Sequence, residues 1–79
     1  MTVEHLIDKQ QFVWDQQGIE AVLDYQLQGK SVNFSRTFVP EALRGQGIAE
    51  KLVRTGLTWA KQEGYEIEAS CWYVQKFLK

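Results

Sequence analysis

Cysteine, proline and histidine each occur only once in this chain of 79 residues, as Cys71, Pro40 and His5. A lone cysteine excludes an internal disulfide framework and fits a reducing compartment. A lone histidine, close to the N-terminus where the chain is expected to be loose, leaves Cys71 without an evident imidazole partner, and no metal-ligand cluster is expected. Charge of one sign is also missing. Nine Lys and Arg stand against ten Asp and Glu, a net charge of -1, which offers no broad attraction to nucleic acid or to an anionic membrane. Apolar runs extend only a few residues, far short of a membrane span. The start, Met1-Thr2-Val3-Glu4-His5, has no basic region followed by an apolar stretch, so no signal peptide is expected. There is no repeat, linker or low-complexity tract. These absences predict one small cytoplasmic domain over residues 1–79, with no nucleic-acid and no membrane partner.

Three strands come first. Gln11 to Asp15 reads as a short strand closed by Gln16-Gln17-Gly18, and Ile19 to Leu27 alternates apolar and polar residues. After the turn Gln28-Gly29-Lys30, the segment Ser31 to Val39 predicts a third strand, with Val32, Phe34 and Phe38 on one side and Asn33, Ser35 and Thr37 on the other. Pro40 has no N–H and stops the ladder. The period then becomes helical. Ile48, Ala49, Leu52, Val53, Gly56 and Leu57 share one side of a helix over 48–63, ended by Gly64. A strand over 66–70 follows, parallel to the third, and then a helix over 72–78 with Ser70 or Cys71 near its N-cap. The expected fold class is α/β, a mixed sheet of about four strands, three in an antiparallel meander and one parallel, with two helices. Trp14, Trp59, Trp72 and the phenylalanines are expected in the core, because so small a domain needs large apolar side chains.

The join between meander and helix, Val39-Pro40-Glu41-Ala42-Leu43-Arg44-Gly45-Gln46-Gly47-Ile48-Ala49, carries the clearest functional signal. Two glycines one residue apart let backbone approach a ligand, and the helix behind them presents unpaired N–H groups and a positive dipole end. Together they form a main-chain cradle for phosphate. A P-loop is excluded, since no Gly-Lys-Ser/Thr follows, and Glu50 stands where a dinucleotide fingerprint needs its third glycine.

The spacing Arg44-x-x-Gly47-x-Ala49 resembles the Arg/Gln-x-x-Gly-x-Gly/Ala signature of the GCN5-related N-acetyltransferases. The segments Phe34-Ser35-Arg36-Thr37-Phe38-Val39-Pro40 and Ser70-Cys71-Trp72-Tyr73-Val74 are similar to those of its small single-domain branch, the YjdJ-type acetyltransferases. The resemblance covers nearly the whole chain from the second strand onward. It implies a minimal acetyltransferase fold that binds acetyl-CoA and transfers an acetyl group to an amine acceptor. Residues Arg44, Gly45, Gln46, Gly47, Ile48 and Ala49 would hold the pyrophosphate of coenzyme A. Main chain at Thr37, Phe38 and Val39 would hold the pantetheine and polarise the thioester carbonyl. Tyr73 would protonate the departing thiolate, or else pack as a core aromatic on Phe77. Cys71, at a strand-to-helix junction, reads as a nucleophile or a thiol beside the acyl group, or as a small side chain packed below the cofactor. Arg36 departs from the branch, which has histidine there; an arginine stays protonated and cannot accept a proton, so it would orient an acceptor or pair with Asp24. Lys51 and Arg54, on the polar side of the helix, read as solubilising charges or as contacts to the cofactor's phosphates. Two other readings stay open: a coenzyme A-binding module with little or no catalysis, and a small structural or interaction domain.

Overall fold

The structure is a computed structural model and describes residues 3–78. The meander begins one strand earlier than the turn signals indicate. Strand β1 (Val3–Leu6) pairs antiparallel with β2 (Gln11–Gln16), which continues into β3 (Ile19–Gln28) and β4 (Ser31–Phe38). Helix α1 (Ile48–Glu63) crosses over to β5 (Glu66–Ala69), which lies parallel to β4, and a single turn, α2 (Trp72–Gln75), follows. The sheet therefore has five strands in the order β1-β2-β3-β4-β5, one more than expected. Strand β1 is hard to read because its turn uses no glycine. A 3-10 turn at Ile7–Lys9 leads into Gln10, which takes a left-handed conformation with φ 53.

His5 is held in β1, contrary to the expectation of a loose N-terminus. Its Nε2 lies 2.6 Å from the Tyr25 hydroxyl, and its ring stacks on Phe12 at 4.1 Å and meets the edge of Trp59 at 4.7 Å. The pairing of β1 with β2 brings His5 opposite Phe12, and so onto the sheet face that α1 covers.

One side of α1 fills the core. Ile48, Leu52, Val53, Leu57 and Ala60 pack over Ala21, Leu23, Val32 and Phe34 of the sheet. Gly56 is where helix and sheet come closest: a Cβ there would stand 2.9 Å from Leu23 Cδ2 and 2.9 Å from Phe34 Cε1. Gly64 ends the helix in a left-handed cap, φ 77, whose N–H reaches the carbonyls of Ala60 and Lys61.

Three other expectations change. Helix α2 has four residues, not seven, because Phe77 and Leu78 bond back three residues, to Val74 and Gln75, and tighten the chain. Trp72 is 70% exposed and Phe38 43% exposed, so neither belongs to the core. The cause for Phe38 is a β-bulge: Tyr25 pairs with Phe34 but Asp24 pairs with Arg36, leaving Ser35 as an extra residue in β4. Alternation reverses beyond it. Thr37 comes to pair with Leu23 on the helix-covered face, while Arg36 and Phe38 pair with Asp24 and Val22 on the other.

Two outcomes follow for stability. Burial holds the His5 imidazole below its usual pKa, so the folded state prefers it neutral. Its contribution is present above the ordinary histidine value and is lost as pH falls through the lowered one. Thermal melts of the wild type should lose stability as pH drops from neutral toward 5, and His5→Phe should flatten that part of the profile; equal slopes would remove His5 as the cause. Gly56→Ala sets an overpacking cost of about 1–3 kcal/mol against about 1 kcal/mol of gained helix propensity. A lowered Tm is expected, and an unchanged or raised Tm would mean that Leu23 and Phe34 yield freely.

Candidate functional site

The site forms where β4 and β5 part. Their pairing covers only Ser31 to Phe34 against Glu66 to Ala69, so beyond Phe34 strand β4 keeps β3 on one side and, among the described residues, has no strand on the other. The splay is pinned at its apex. Asn33 Oδ1 accepts from the Ser70 N–H at 2.9 Å, the Cys71 N–H donates to the Phe34 carbonyl at 3.2 Å, and Gln75 Nε2 donates to the Ala69 carbonyl at 2.8 Å. These bonds hold the β5–α2 junction across from the bulged end of β4. Thr37 Oγ1 and Cys71 Sγ thereby come within 3.6 Å.

The opposite end of the opening is built by the glycine loop. Pro40 leads into a 3-10 turn at Glu41–Leu43, anchored by buried Leu43, and Arg44 Nε donates to the Val39 carbonyl at 3.0 Å. Gly45 and Gly47 have φ 82 and φ 74, conformations that favour glycine, and a Cβ at either would meet open space. Their first role is therefore to shape the turn. Gly47 is also the N-cap of α1, and no side chain caps the helix there. The opening turn of a 16-residue helix thus ends on unpaired N–H groups beside an open loop, a fit for a phosphate.

Two adjoining clefts run along this opening. One, of about 220 Å³, is lined by Gly45, Gly47, Ile48, Glu50 and the Leu43–Arg44 turn. The other, of about 230 Å³, is lined by Thr37, Phe38, Cys71 and Trp72. Val39, Arg44, Ala49 and Tyr73 border both. The fold thus brings together every predicted site residue except Gln46, an exposed residue of the loop bordering neither cleft. Lys51 and Arg54 also stand apart. The Lys51 ammonium lies over the Trp14 ring at 5.0 Å, and Arg54 pairs with Glu50 at 2.7 Å. Arg36 pairs with Asp24 at 3.1 Å and lies over the Phe38 ring at 5.3 Å.

Sequence reasoning missed Glu50 as a wall of the site and Trp72 as its rim. Glu50 carried a signal, since it sits in the first turn of α1 just behind the loop. Trp72 carried none beyond its place after Cys71.

Two side chains have shifted acidities. Burial raises the Cys71 thiol, but the N–H of Val74, the Thr37 hydroxyl and the N–H groups of Tyr73 and Thr37 outweigh it, and the net shift is downward. Burial, and then the Glu50 carboxylate, raises the Tyr73 hydroxyl above the usual tyrosine value. Tyr73 also packs edge-on against Phe77 at 5.3 Å, so it is core neighbour and cleft wall together. Among the described residues no group of His, Cys, Asp and Glu is placed to hold a metal ion, and no helix is long and apolar enough to cross a membrane.

A family model described as GCN5-related N-acetyl-transferase matches residues 11–79. Among relatives, Protein NATD1 of Bos taurus is 40% identical over 80 residues, which cover 98% of this chain and 71% of that protein. Protein NATD1 of Gallus gallus is 39% identical over 80 residues, covering 98% and 73%, and that of Danio rerio 38% over 82 residues, covering 100% and 74%. With the five-stranded mixed sheet, its two helices and the glycine loop at the start of α1, these matches place the chain in the GCN5-related N-acetyltransferase family.

Proposed function

We propose that this chain is an acetyl-CoA-dependent N-acetyltransferase. The observation that carries the reading is the pair of adjoining clefts between the end of β4, the start of α1 and the β5–α2 junction, with an uncapped helix N-terminus at one end and Thr37, Cys71 and Tyr73 at the other. Loop residues Arg44 to Gly47 and the N–H groups of Ile48 and Ala49 bind the pyrophosphate. The unpartnered edge of β4 at Thr37 to Val39 aligns the pantetheine and polarises the carbonyl through main-chain N–H groups. Acetyl-CoA, when bound, supplies an acetyl group as a thioester open to attack by a neutral amine. Tyr73 is protonated at neutral pH, as an ordinary tyrosine is and as its raised pKa reinforces, and it gives its hydroxyl proton to the leaving sulfur. Cys71 packs beside the acyl group as a close neighbour; a covalent acyl-cysteine step is not required.

Among the described residues no carboxylate or imidazole lines the Thr37–Tyr73 half of the opening, and Arg36 cannot accept a proton. The acceptor amine must therefore arrive neutral. The same fact favours a second reading, a coenzyme A-binding module that turns over slowly or not at all.

Calorimetry with acetyl-CoA, followed by a turnover assay, tests the proposal. Binding with slow turnover is the outcome of the second reading, and no binding contradicts both. Gly47→Val should cost about 1–2 kcal/mol of stability, since it forces a side chain into a left-handed conformation. It should abolish acetyl-CoA binding while the fold survives, and wild-type affinity in this variant would contradict the phosphate cradle.

If Tyr73 is the acid, Tyr73→Phe lowers kcat about 10²-fold or more with little change in acetyl-CoA affinity. In the wild type, kcat/KM should climb with pH along the acceptor amine's own titration. A profile flat across that range would mean that a group outside the Thr37–Tyr73 half, such as Glu50 of the adjoining cleft, takes the proton.

A further inference from the structure

The two ends of the opening differ in chemistry. The loop end offers backbone N–H groups, whereas the far end offers aromatic faces. Phe38 and Trp72 are both exposed there, and both line the same cleft as Thr37 and Cys71. Phe38 lies on the sheet face that α1 does not cover, paired with Val22. Large exposed aromatic side chains that gather at a cleft mark a binding surface more often than chance exposure does.

Cations frame this end. Arg36 lies over Phe38, but its charge is matched by Asp24. The Lys76 ammonium sits 5.3 Å from the Trp72 ring and 5.2 Å from the Tyr73 ring, and it has no carboxylate partner among the described residues. Those ring contacts hold it at the rim. Arg44 borders the same cleft, and its side chain donates to the Val39 carbonyl. Among the described residues no Asp or Glu lines this cleft.

We propose, resting on the acetyltransferase reading above, that the Phe38–Trp72 end seats the acceptor, and that the acceptor is a small amine with a flat apolar body and a carboxylate. The body lies on the free faces of Trp72 and Phe38, and the carboxylate meets Lys76 in a charge-assisted hydrogen bond. Polyamines and lysine-rich protein tails meet the Lys76 charge, and among the described residues no Asp or Glu of this cleft offsets the repulsion. In the transfer, the acceptor ammonium first loses its proton to solvent. Its nitrogen then bonds the acetyl carbon, the carbon–sulfur bond breaks, and the sulfur takes the Tyr73 proton. The amine's remaining extra proton passes to water, and Tyr73 is reprotonated from solvent.

The test compares phenylalanine, phenethylamine and spermidine as acceptors of the full chain, in the wild type, Trp72→Ala and Lys76→Glu. Acetyl transfer gives kcat/KM, and calorimetric titration of the coenzyme A-loaded protein with each amine gives affinity without turnover. Phenylalanine should exceed phenethylamine by about tenfold, the size of one hydrogen bond to a charged group, and spermidine should be poorest. Lys76→Glu should abolish the preference for the carboxylate with acetyl-CoA affinity unchanged, and Trp72→Ala should weaken both aromatic amines by more than it weakens acetyl-CoA. The same order in the titrations without any transfer would support the acceptor seat and sink the transferase reading instead. Spermidine equal or better would overturn the proposal. So would a Trp72→Ala variant that loses acetyl-CoA affinity but not acceptor preference, and so would no binding of any amine.

Discussion

A single extra residue in β4, Ser35, sets the geometry on which the site depends. Without the bulge, strict alternation would place Thr37 on the uncovered face and point Phe38 at α1. With it, Thr37 turns toward Cys71, and Arg36 and Phe38 turn away. The bulge also sits just past Phe34, where β5 stops pairing. A bend in one strand and the end of a ladder therefore coincide, and the sheet opens there. The fixed points of the opening are ordinary hydrogen bonds, from the Ser70 N–H to Asn33 and from Gln75 to the Ala69 carbonyl. They keep the far wall in place although α2 is only one turn long.

A domain this small builds its core from one helix laid on one sheet face. Phe12, Tyr25 and Trp59 gather under the C-terminal half of α1, with His5 closing the edge from β1. The first turn of α1 also borders the opening, with Ile48 and Ala49. The start of the helix thus serves both core and opening, since Ile48, Leu52 and Val53 are buried in the core as well. Gly56, where no side chain fits between Leu23 and Phe34, sets how closely that helix lies on the sheet between the two ends.

Much of this was legible in the chain. The apolar spacing and Gly64 located α1 at Ile48–Glu63, and the residues of the glycine loop pointed to the family that the family model and the NATD1 relatives support. The parallel pairing of the last strand with β4 also emerged as expected. What stayed hidden has physical reasons. A bulge adds one residue without any marker: Ser35 is an ordinary strand residue, and only the pairing with β3 reveals the slip. Strand β1 was missed because Gln10 makes its turn in place of glycine. Trp72 was assigned to the core by its size, yet Val74 takes the buried position of the one-turn helix and leaves Trp72 outside. Arg36 was read as either an acceptor-orienting group or a partner for Asp24, and the partnership is what the fold displays.

The central claim is that the unpaired edge of β4 and the start of α1 form one cofactor cleft. Amide chemical shifts followed by heteronuclear NMR during acetyl-CoA titration test it most directly. The account predicts that the largest changes fall on Thr37 to Val39, on Gly45 to Ala49 and on Cys71 to Tyr73, in one saturable event. Shifts confined to other surfaces, or none at saturating acetyl-CoA, would contradict it.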